Sequence, residues 1–199
     1  MSASGSSGAT ALPPAEWGPV HKDYNGKING GAITAGCGAY NWATGNGTLP
    51  VQGKYRIEYR VNSIEEFAMS DIGVGVISRS GAGPLVREMS LSIAPKSCYY
   101  WFSYRGGWFS YRGGSGSQLY ADGRLVQDGI RQESRAGSTI EVIVDQDAST
   151  VEFRLDGVSV ADPRLMVVNP KDKQDLTPAA CVKFPGSALT LVAVEAVAR

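Results

Sequence analysis

The sequence predicts an all-β protein, folded as one antiparallel β-sandwich, and three observations favour this class. Residues 137–161 (GSTIEVIVDQDASTVEFRLDGVSVA) alternate apolar and polar side chains and are interpreted as three strands joined by two turns. Residues 54–61 (KYRIEYRV) show the same period of two. No segment shows a helical period, so two packed antiparallel sheets are expected.

Turn-forming residues separate the three strands of this meander. Residues 145–150 (DQDAST) supply Asp and Ser side chains that bond back to the local backbone and hold a turn. Asp156 and Gly157 supply the second turn, because glycine accepts a positive φ without steric cost. The apolar face of the meander is therefore expected to belong to the core.

The N-terminal region is rich in small residues and turns. Residues 1–15 are rich in Ser, Gly and Ala, which predicts a flexible tail followed by one domain over residues 16–199. Residues 31–34 (GAIT) are interpreted as an edge strand. The segment Tyr40, Asn41 and Trp42 lies among glycines, and its Trp42 is either a core anchor or an exposed contact.

Further strands are expected along the rest of the chain. Residues 72–77 (IGVGVI) predict a buried strand whose glycines permit close approach of a neighbouring layer. Residues 89–93 alternate again and predict another strand. A turn is predicted at residues 121–123, followed by a polar connection over residues 124–132. Two closing strands are predicted at residues 176–184 and 188–194.

A verbatim tandem duplication lies between these strands. The heptad WFSYRGG occurs twice without a break, at residues 101–107 and 108–114, and residues 99–111 hold eight of the chain's eighteen aromatic side chains. Two strands joined at Gly106-Gly107 would form a hairpin in which Trp101 faces Arg112 and Arg105 faces Trp108. The competing interpretation keeps one copy in the sheet and expels the other as a loop.

Composition and charge narrow the function classes. Lys plus Arg equals Asp plus Glu, at 19 each, so no global field favours nucleic acid or an anionic membrane surface. Three dispersed cysteines are interpreted as buried thiols of a reducing compartment, and His21 is the single histidine. We therefore expect a cytoplasmic protein and a monomer, with no cofactor, no metal site, no nucleic acid and no membrane span.

The order of these segments resembles the SPRY domain family, whose members have a concanavalin-A-like architecture. The resemblance implies a bent antiparallel β-sandwich of two sheets. The resemblance rests on residues 53–61 (GKYRIEYRV), on 72–77 (IGVGVI), and on an aromatic segment running into 120–123 (YADG). It continues through the meander of residues 137–161 and the closing pair within residues 176–192. Two departures are the heptad duplication and the lack of the Trp that is common before the Glu in the first of these strands.

The resemblance implies an intracellular interaction module without catalysis. Members of the family bind partner proteins, often short peptides, through variable loops at one end of the sandwich. We accordingly predict a non-enzymatic protein–protein interaction module with an unknown protein or peptide partner. Trp, Tyr and Arg dominate interface hot spots, and the predicted contact residues are Tyr40, Asn41, Trp42, Trp101, Arg105, Trp108 and Arg112.

Two other function classes are weighed against this prediction. A lectin-like carbohydrate-binding sandwich is the alternative, because exposed Trp near Asn and Asp suits sugar stacking. A glycoside hydrolase needs two carboxylates about 5–9 Å apart across a cleft. Glu152 and Asp156 share a strand face, but surface charge explains them better, so an enzyme is not expected.

Overall fold

The computed structural model describes residues 12–18, 26–36, 41–64, 72–79, 97–102, 117–162, 164 and 175–198, with the backbone alone for 97–102. These residues form thirteen β-strands and no helix, arranged in two antiparallel sheets. The predicted all-β class is confirmed. The strand expected at residues 89–93 lies outside the described residues.

The first sheet has seven strands in the order β1-β2-β13-β4-β9-β10-β11. Its strands are β1 (Lys27–Asn29), β2 (Ala32–Thr34), β4 (Lys54–Ser63), β9 (Thr139–Asp145), β10 (Thr150–Leu155), β11 (Val158–Ser159) and β13 (Ala188–Ala196). The predicted three-strand meander is confirmed as β9, β10 and β11, which are consecutive neighbours. Residues 32–34 were expected at an edge, but β2 lies between β1 and β13, so the edge strand is β1.

The second sheet has six strands in the order β3-β12-β5-β6-β7-β8. Its strands are β3 (Asn41–Thr44), β5 (Ile72–Ser78), β6 (Ser97–Phe102), β7 (Ser117–Ala121), β8 (Arg124–Ile130) and β12 (Leu176–Val182). Every residue of β5 and β12 is buried. This matches the continuous apolar run of β5, since a strand covered on both faces has no polar side to alternate with.

The core lies between the two sheets, and β4 shows how alternation fills it. Tyr55, Ile57, Tyr59 and Val61 are all buried, whereas the residues between them are partly or fully exposed. The Tyr59 side chain crosses to the other sheet, where its hydroxyl donates to the carbonyl oxygens of Gly75 at 3.0 Å and Ala179 at 3.4 Å. Tyr59 thus connects β4 to both β5 and β12.

Two Asp-Gly pairs form the tight turns that the sequence predicts. Asp156 and Gly157 have φ values of 49° and 81° between β10 and β11, and Asp122 and Gly123 have 50° and 71° between β7 and β8. Positive φ at both central residues is typical of the type I′ turn, whose twist matches that of the flanking strands. The Asp145 carboxylate accepts from the backbone amide of Ala148 at 2.8 Å and holds the β9–β10 turn.

The polar connection predicted for residues 124–132 is wrong. Residues Arg124–Ile130 form β8, which pairs with β7 and is the last strand of the six-stranded sheet. Its burial does not alternate, because an edge strand next to solvent has little need of an apolar face, and its pairing with β7 contains register shifts. Backbone pairing with β7 overrides the weak pattern of this segment.

The predicted hairpin between the two heptad copies is wrong at the residue pair farthest from its turn, Trp101 with Arg112. Trp101 pairs with Gly73 of β5 on one side and with Gln118 of β7 on the other, so Arg112 cannot be its neighbour. The first copy thus contributes Trp101 and Phe102 to the sheet, as the competing interpretation requires. Arg105, Trp108 and the rest of residues 103–116 lie outside the described residues.

The packed part of the chain begins before the predicted domain boundary. Leu12 and Ala15 are partly buried against the core, although both were assigned to the tail. Trp17 follows with 7% exposure, stacks on Tyr59 with ring centroids 6.2 Å apart, and donates from Nε1 to the Gly31 carbonyl at 2.6 Å. Residues 1–11 lie outside the described part of the chain.

Candidate functional site

The strand register brings two of the predicted contact segments to one end of the sandwich. Asn41, Val182, Ile72 and Phe102 are successive partners across β3, β12, β5 and β6, so they form one row. β3 begins at this row and β6 ends at it. The chain therefore enters β3 and leaves β6 at the same end of the sheet, which we call the Asn41 end.

The separation of these two points follows from sheet geometry. Three strand spacings lie between Asn41 and Phe102, and neighbouring strands are about 4.8 Å apart, so the two chain positions are roughly 14 Å apart. A short extended peptide spans that distance with four or so residues at about 3.3 Å each. The two chain positions are thus close enough for one short peptide to reach both.

Three more connections meet at the Asn41 end. Residues 183–187 lead from Val182 to β13, and Ala188 at the start of β13 pairs with Ser63 at the end of β4. Residues 64–71 follow β4 and enter β5 at Ile72. Residues 131–138 leave β8 at Ile130, which pairs with Ser117 beside the row that holds Trp101.

The structure buries the two predicted contact residues whose side chains it describes. Asn41 is 2% exposed and Trp42 is 9% exposed. This burial favours the core interpretation of Trp42 over the exposed contact, the two alternatives that the sequence left open. Trp42 lies in a row with Cys181, Gly73 and Trp101, so two of the predicted residues occupy corresponding positions on β3 and β6.

The remaining predicted residues are reached only through their chain connections. Tyr40, Arg105, Trp108 and Arg112 lie outside the residues that the structure describes. The register nevertheless fixes where their segments join the sheets. Tyr40 immediately precedes β3, and the three others lie in the fourteen-residue connection between Phe102 and Ser117.

A carboxylate that the sequence analysis treated only as a turn former also organises the Asn41 end. The Asp156 carboxylate accepts from the Ser138 hydroxyl at 3.0 Å and from the Thr139 backbone amide at 2.8 Å. The Asp156 amide donates in turn to the Thr139 carbonyl at 2.8 Å. The side chain therefore joins the β10–β11 turn to the connection that enters β9. The positive φ expected for an Asp-Gly turn was the only sequence signal for this role.

The carboxylates considered for hydrolysis are both engaged by other groups. Glu152 accepts from Arg154 Nε at 2.7 Å, and Asp156 holds Ser138 and Thr139 as described above. Among the described residues, no group of three or more His, Cys, Asp or Glu side chains is placed to hold a metal ion. Across the same residues, no helix is long and apolar enough to cross a membrane.

A network of charges lies on the outward face of the seven-stranded sheet. Arg56 contacts Glu141 at 2.9 Å, Glu195 at 2.7 Å and Glu58 at 3.7 Å. Hydrogen bonds from Glu195 and Glu141 raise the pKa of Arg56 above its usual value. These charges satisfy one another, which is the ordinary arrangement of a solvated sheet face.

Comparison with known proteins identifies the fold. No protein-family model matches the chain, and no curated protein matches it. The SPRY domain of human HERC1 is 18% identical, with a TM-score of 0.57 over 87% of this chain and 94% of that one. The TRIM65 PSpry domain is 12% identical, with a TM-score of 0.59 over 89% of this chain and 91% of that one.

A third solved structure with a similar fold is a carbohydrate recognition domain. The carbohydrate recognition domain of Emp46p, in its potassium-bound form, is 10% identical, with a TM-score of 0.56 over 90% of this chain and 87% of that one. Identities at this level show the fold alone. Two of the three are SPRY domains, the family that the sequence resembles. The chain therefore has a SPRY-type β-sandwich fold.

Proposed function

We propose that this protein is a non-enzymatic interaction module that binds a partner protein or short peptide through the connections at the Asn41 end. The observation that carries the proposal is the row Asn41–Val182–Ile72–Phe102, because it brings the segments of Tyr40 and of the duplicated heptad to one end of the sheet. The SPRY-type fold supports the same function. We further propose that the module acts in the cytoplasm as a monomer.

The side-chain chemistry of the duplicated segment suits this role. Trp, Tyr and Arg are the residue types that contribute most to interface affinity, and the connection carries Arg105, Trp108 and Arg112. An aromatic ring buries a large apolar area with few rotatable bonds, and a guanidinium group binds carboxylates and stacks on aromatic rings. The duplication doubles this set of side chains within the one connection between β6 and β7.

Asn41 and Trp42 have a different part in the proposed site. Because both are buried, they contribute by fixing the start of β3 rather than by offering contact area. Tyr40, one residue before the strand, is the proposed contact at this point. Truncating Trp42 is therefore expected to disturb folding as well as binding, and it does not make a clean test of the surface.

The test compares two ends of one folded protein. Partners are first identified by crosslinking and mass spectrometry in the source cell, and binding of the purified partner is then measured by calorimetry. The variant Trp108→Ala/Arg112→Ala is expected to weaken binding at least 30-fold, since hot-spot side chains contribute about 2 kcal/mol or more each. Trp108 is preferred to Trp101, because Trp101 lies within β6.

The matched control removes an exposed cation at the opposite end of the sandwich. Arg124 starts β8 and pairs with Ala121, far along the strands from the Asn41 row. Arg124→Ala is expected to bind the partner as the unchanged protein does. Equal affinity of the unchanged protein and a folded Trp108→Ala/Arg112→Ala variant would exclude the duplicated segment as the contact surface.

Carbohydrate binding is the second candidate function, favoured by the structural similarity to the Emp46p domain. Both functions use the same architecture, so fold does not separate them. A glycan array probed with and without calcium distinguishes the two. Selective glycan binding that is abolished by Trp108→Ala would support the second candidate and contradict a purely protein-directed site.

A further inference from the structure

Two buried polar atoms in the β8–β9 connection have no hydrogen-bond partner among the described residues: Gln132 Oε1 and Ser134 Oγ. Ser134 is completely buried, and Gln132 is partly buried. Buried polar groups in native proteins are nearly always paired, either with protein or with an ordered water. Two such atoms two residues apart therefore indicate a ligand position.

The local chain geometry places the two side chains on one side. Exposure alternates along this segment, since Arg131 and Glu133 are exposed while Gln132 and Ser134 are partly or fully buried. Alternation of this kind is typical of an extended chain, in which residues two apart point the same way about 6.6 Å apart. Gln132 and Ser134 thus both turn inward.

The orientation of the Gln132 amide follows from its other hydrogen bond. Gln132 Nε2 donates to the Ser159 carbonyl of the edge strand β11 at 3.1 Å. Exchanging the amide oxygen and nitrogen would place two acceptors against each other, so the oxygen must point away from Ser159. Gln132 Oε1 consequently needs a donor, whereas the Ser134 hydroxyl either donates or accepts.

Burial limits the size of the ligand. Both orphan atoms have almost no solvent-accessible area, so neither a side chain of a partner nor a metabolite reaches them from the surface. A water molecule supplies two donors and two acceptors within that small volume. We propose that the β8–β9 connection encloses an internal water that donates to Gln132 Oε1 and hydrogen-bonds to Ser134 Oγ.

Such a water would hold the connection to the end of the sandwich. Near its start, the segment is held by the hydrogen bond from Gln132 to the Ser159 carbonyl. At its end, it is held by the hydrogen bonds from Ser138 and Thr139 to the Asp156 carboxylate. The water fills the interval between these two attachments. Because residues 131–138 meet the other connections at the Asn41 end, the water helps to set the shape of that surface.

The proposal is tested first on the unchanged, isotope-labelled chain. Nuclear Overhauser measurements between solvent and the Gln132 side-chain amide protons detect a water that stays bound longer than surface water. We expect such a contact at Gln132. Its absence overturns the proposal, whatever the variants show.

The second measurement uses the sign of a stability change. If the Ser134 hydroxyl bonds an internal water, Ser134→Ala lowers the thermal midpoint, because the water loses a partner. If the hydroxyl is dry and unpaired, Ser134→Ala raises the midpoint or leaves it unchanged, which overturns the proposal. Glu133→Ala is the matched control, since this exposed residue lies between the two and is expected to leave the midpoint unchanged.

Discussion

At the scale of single residues, Tyr59 links the two sheets through hydrogen bonds from one side chain. Its ring lies in the core against Trp17, and its hydroxyl donates to backbone carbonyls of β5 and β12. Gly75 and Ala179 are themselves register partners, so one side chain reaches two strands at one point. Complete burial raises the pKa of Tyr59, so the hydroxyl stays protonated and remains a donor.

Replacing this hydroxyl is predicted to destabilise the protein. Tyr59→Phe keeps the ring and its stacking but removes the hydroxyl that donates to the carbonyls of Gly75 and Ala179. We expect the free energy of unfolding to fall by about 1 kcal/mol, the usual net contribution of an intramolecular hydrogen bond. Urea unfolding followed by tryptophan fluorescence measures the change.

The control is Tyr55, which lies four residues before Tyr59 in β4 and on the same face of the strand. Its hydroxyl donates to the carbonyl of Gln52 near the surface, where water can replace it. Tyr55→Phe is therefore expected to cost less than Tyr59→Phe. An equal loss for both variants would show that the link between the sheets has no special weight.

Asp162 gives a pH-dependent prediction at the same scale. The Arg164 side chain hydrogen-bonds to the Asp162 carboxylate and is the main cause that lowers the pKa of Asp162 from 3.8 to about 2. A hydrogen bond from the Arg164 backbone amide lowers this pKa further. A carboxyl group whose pKa is lower in the folded state than in the unfolded state stabilises the fold at pH values above its unfolded-state pKa. That contribution is lost as pH falls from about 4 through about 2.

Substituting Arg164 isolates the cause. Arg164→Gln removes the charged donor and keeps the backbone amide, so the pKa of Asp162 is expected to rise from about 2 toward 3.8 without fully reaching it. Carbon-detected NMR titration of the carboxyl group measures the shift. An unchanged titration curve would mean that the ion pair does not form in solution, as happens for many exposed pairs.

Sequence reasoning succeeded where one residue type has one physical role. Asp156-Gly157 requires positive φ, and the structure has it. Trp42 was harder, because a Trp among glycines suits both a core and a surface, and its burial is seen only in the folded structure. The candidate site depended on which strand ends lie together, and no local pattern contains that information.

At the scale of elements, the duplicated heptad shows the limit of local pattern. Two WFSYR segments around Gly106-Gly107 predict a hairpin if only neighbours in sequence are considered. The structure instead pairs β6 with β5 on one side and with β7 on the other, and β5 is buried along its whole length. Similarly, residues 124–130 have no clear alternation and still form β8, since β7 provides a partner.

Removing one heptad copy is predicted to leave the sheets intact. Deletion of residues 108–114 keeps Trp101 and Phe102 in β6 and leaves the sequence of β7 unchanged. The connection between the two strands shortens from fourteen residues to seven. Halving the length of a connection changes the free-energy cost of closing it by only about 0.6 kcal/mol. We expect the free energy of unfolding to change by less than about 1 kcal/mol on this basis, as measured by urea unfolding.

A deletion of equal length within a strand is the control. Removing residues 124–130 takes away β8 and the buried side chain of Ile130, so this variant is expected to unfold at clearly lower urea concentration. A loss above about 2 kcal/mol on deleting residues 108–114 would contradict the prediction, because loop closure alone does not produce it. The second copy would then have a part in packing.

At the scale of the whole molecule, chain segments far apart in sequence complete the same core. β13 at the C-terminal end pairs with β4 and with β2, so the first strands of the chain are held by the last. Trp17 adds a further closure, since it bridges to Gly45 and bonds to Gly31. Long-range pairing of this kind explains why the fold class was predictable from alternation while the strand order was not.

Two truncations test how far this closure extends toward the N-terminus. A chain that starts at Leu12 keeps every contact that the described residues make with one another. We expect its free energy of unfolding to match that of the full chain within about 0.5 kcal/mol. A chain that starts at residue 19 loses the buried Trp17 ring with its bonds to Gly31 and Gly45. Removing a buried Trp typically costs about 3–5 kcal/mol, so this chain is expected to be much less stable.

The variant Trp17→Ala in the full chain separates the side chain from the backbone of this segment. Glu16 and Gly18 also bond to the backbone, since the Asn46 amide donates to the Glu16 carbonyl at 2.9 Å and the Gly18 amide to the Thr44 carbonyl at 2.7 Å. The longer truncation should therefore destabilise the protein more than Trp17→Ala does, with both measured by urea unfolding. If both truncated chains instead unfold at the same urea concentration, residues 12–18 add no stability, and the domain starts where the strands of the seven-stranded sheet start.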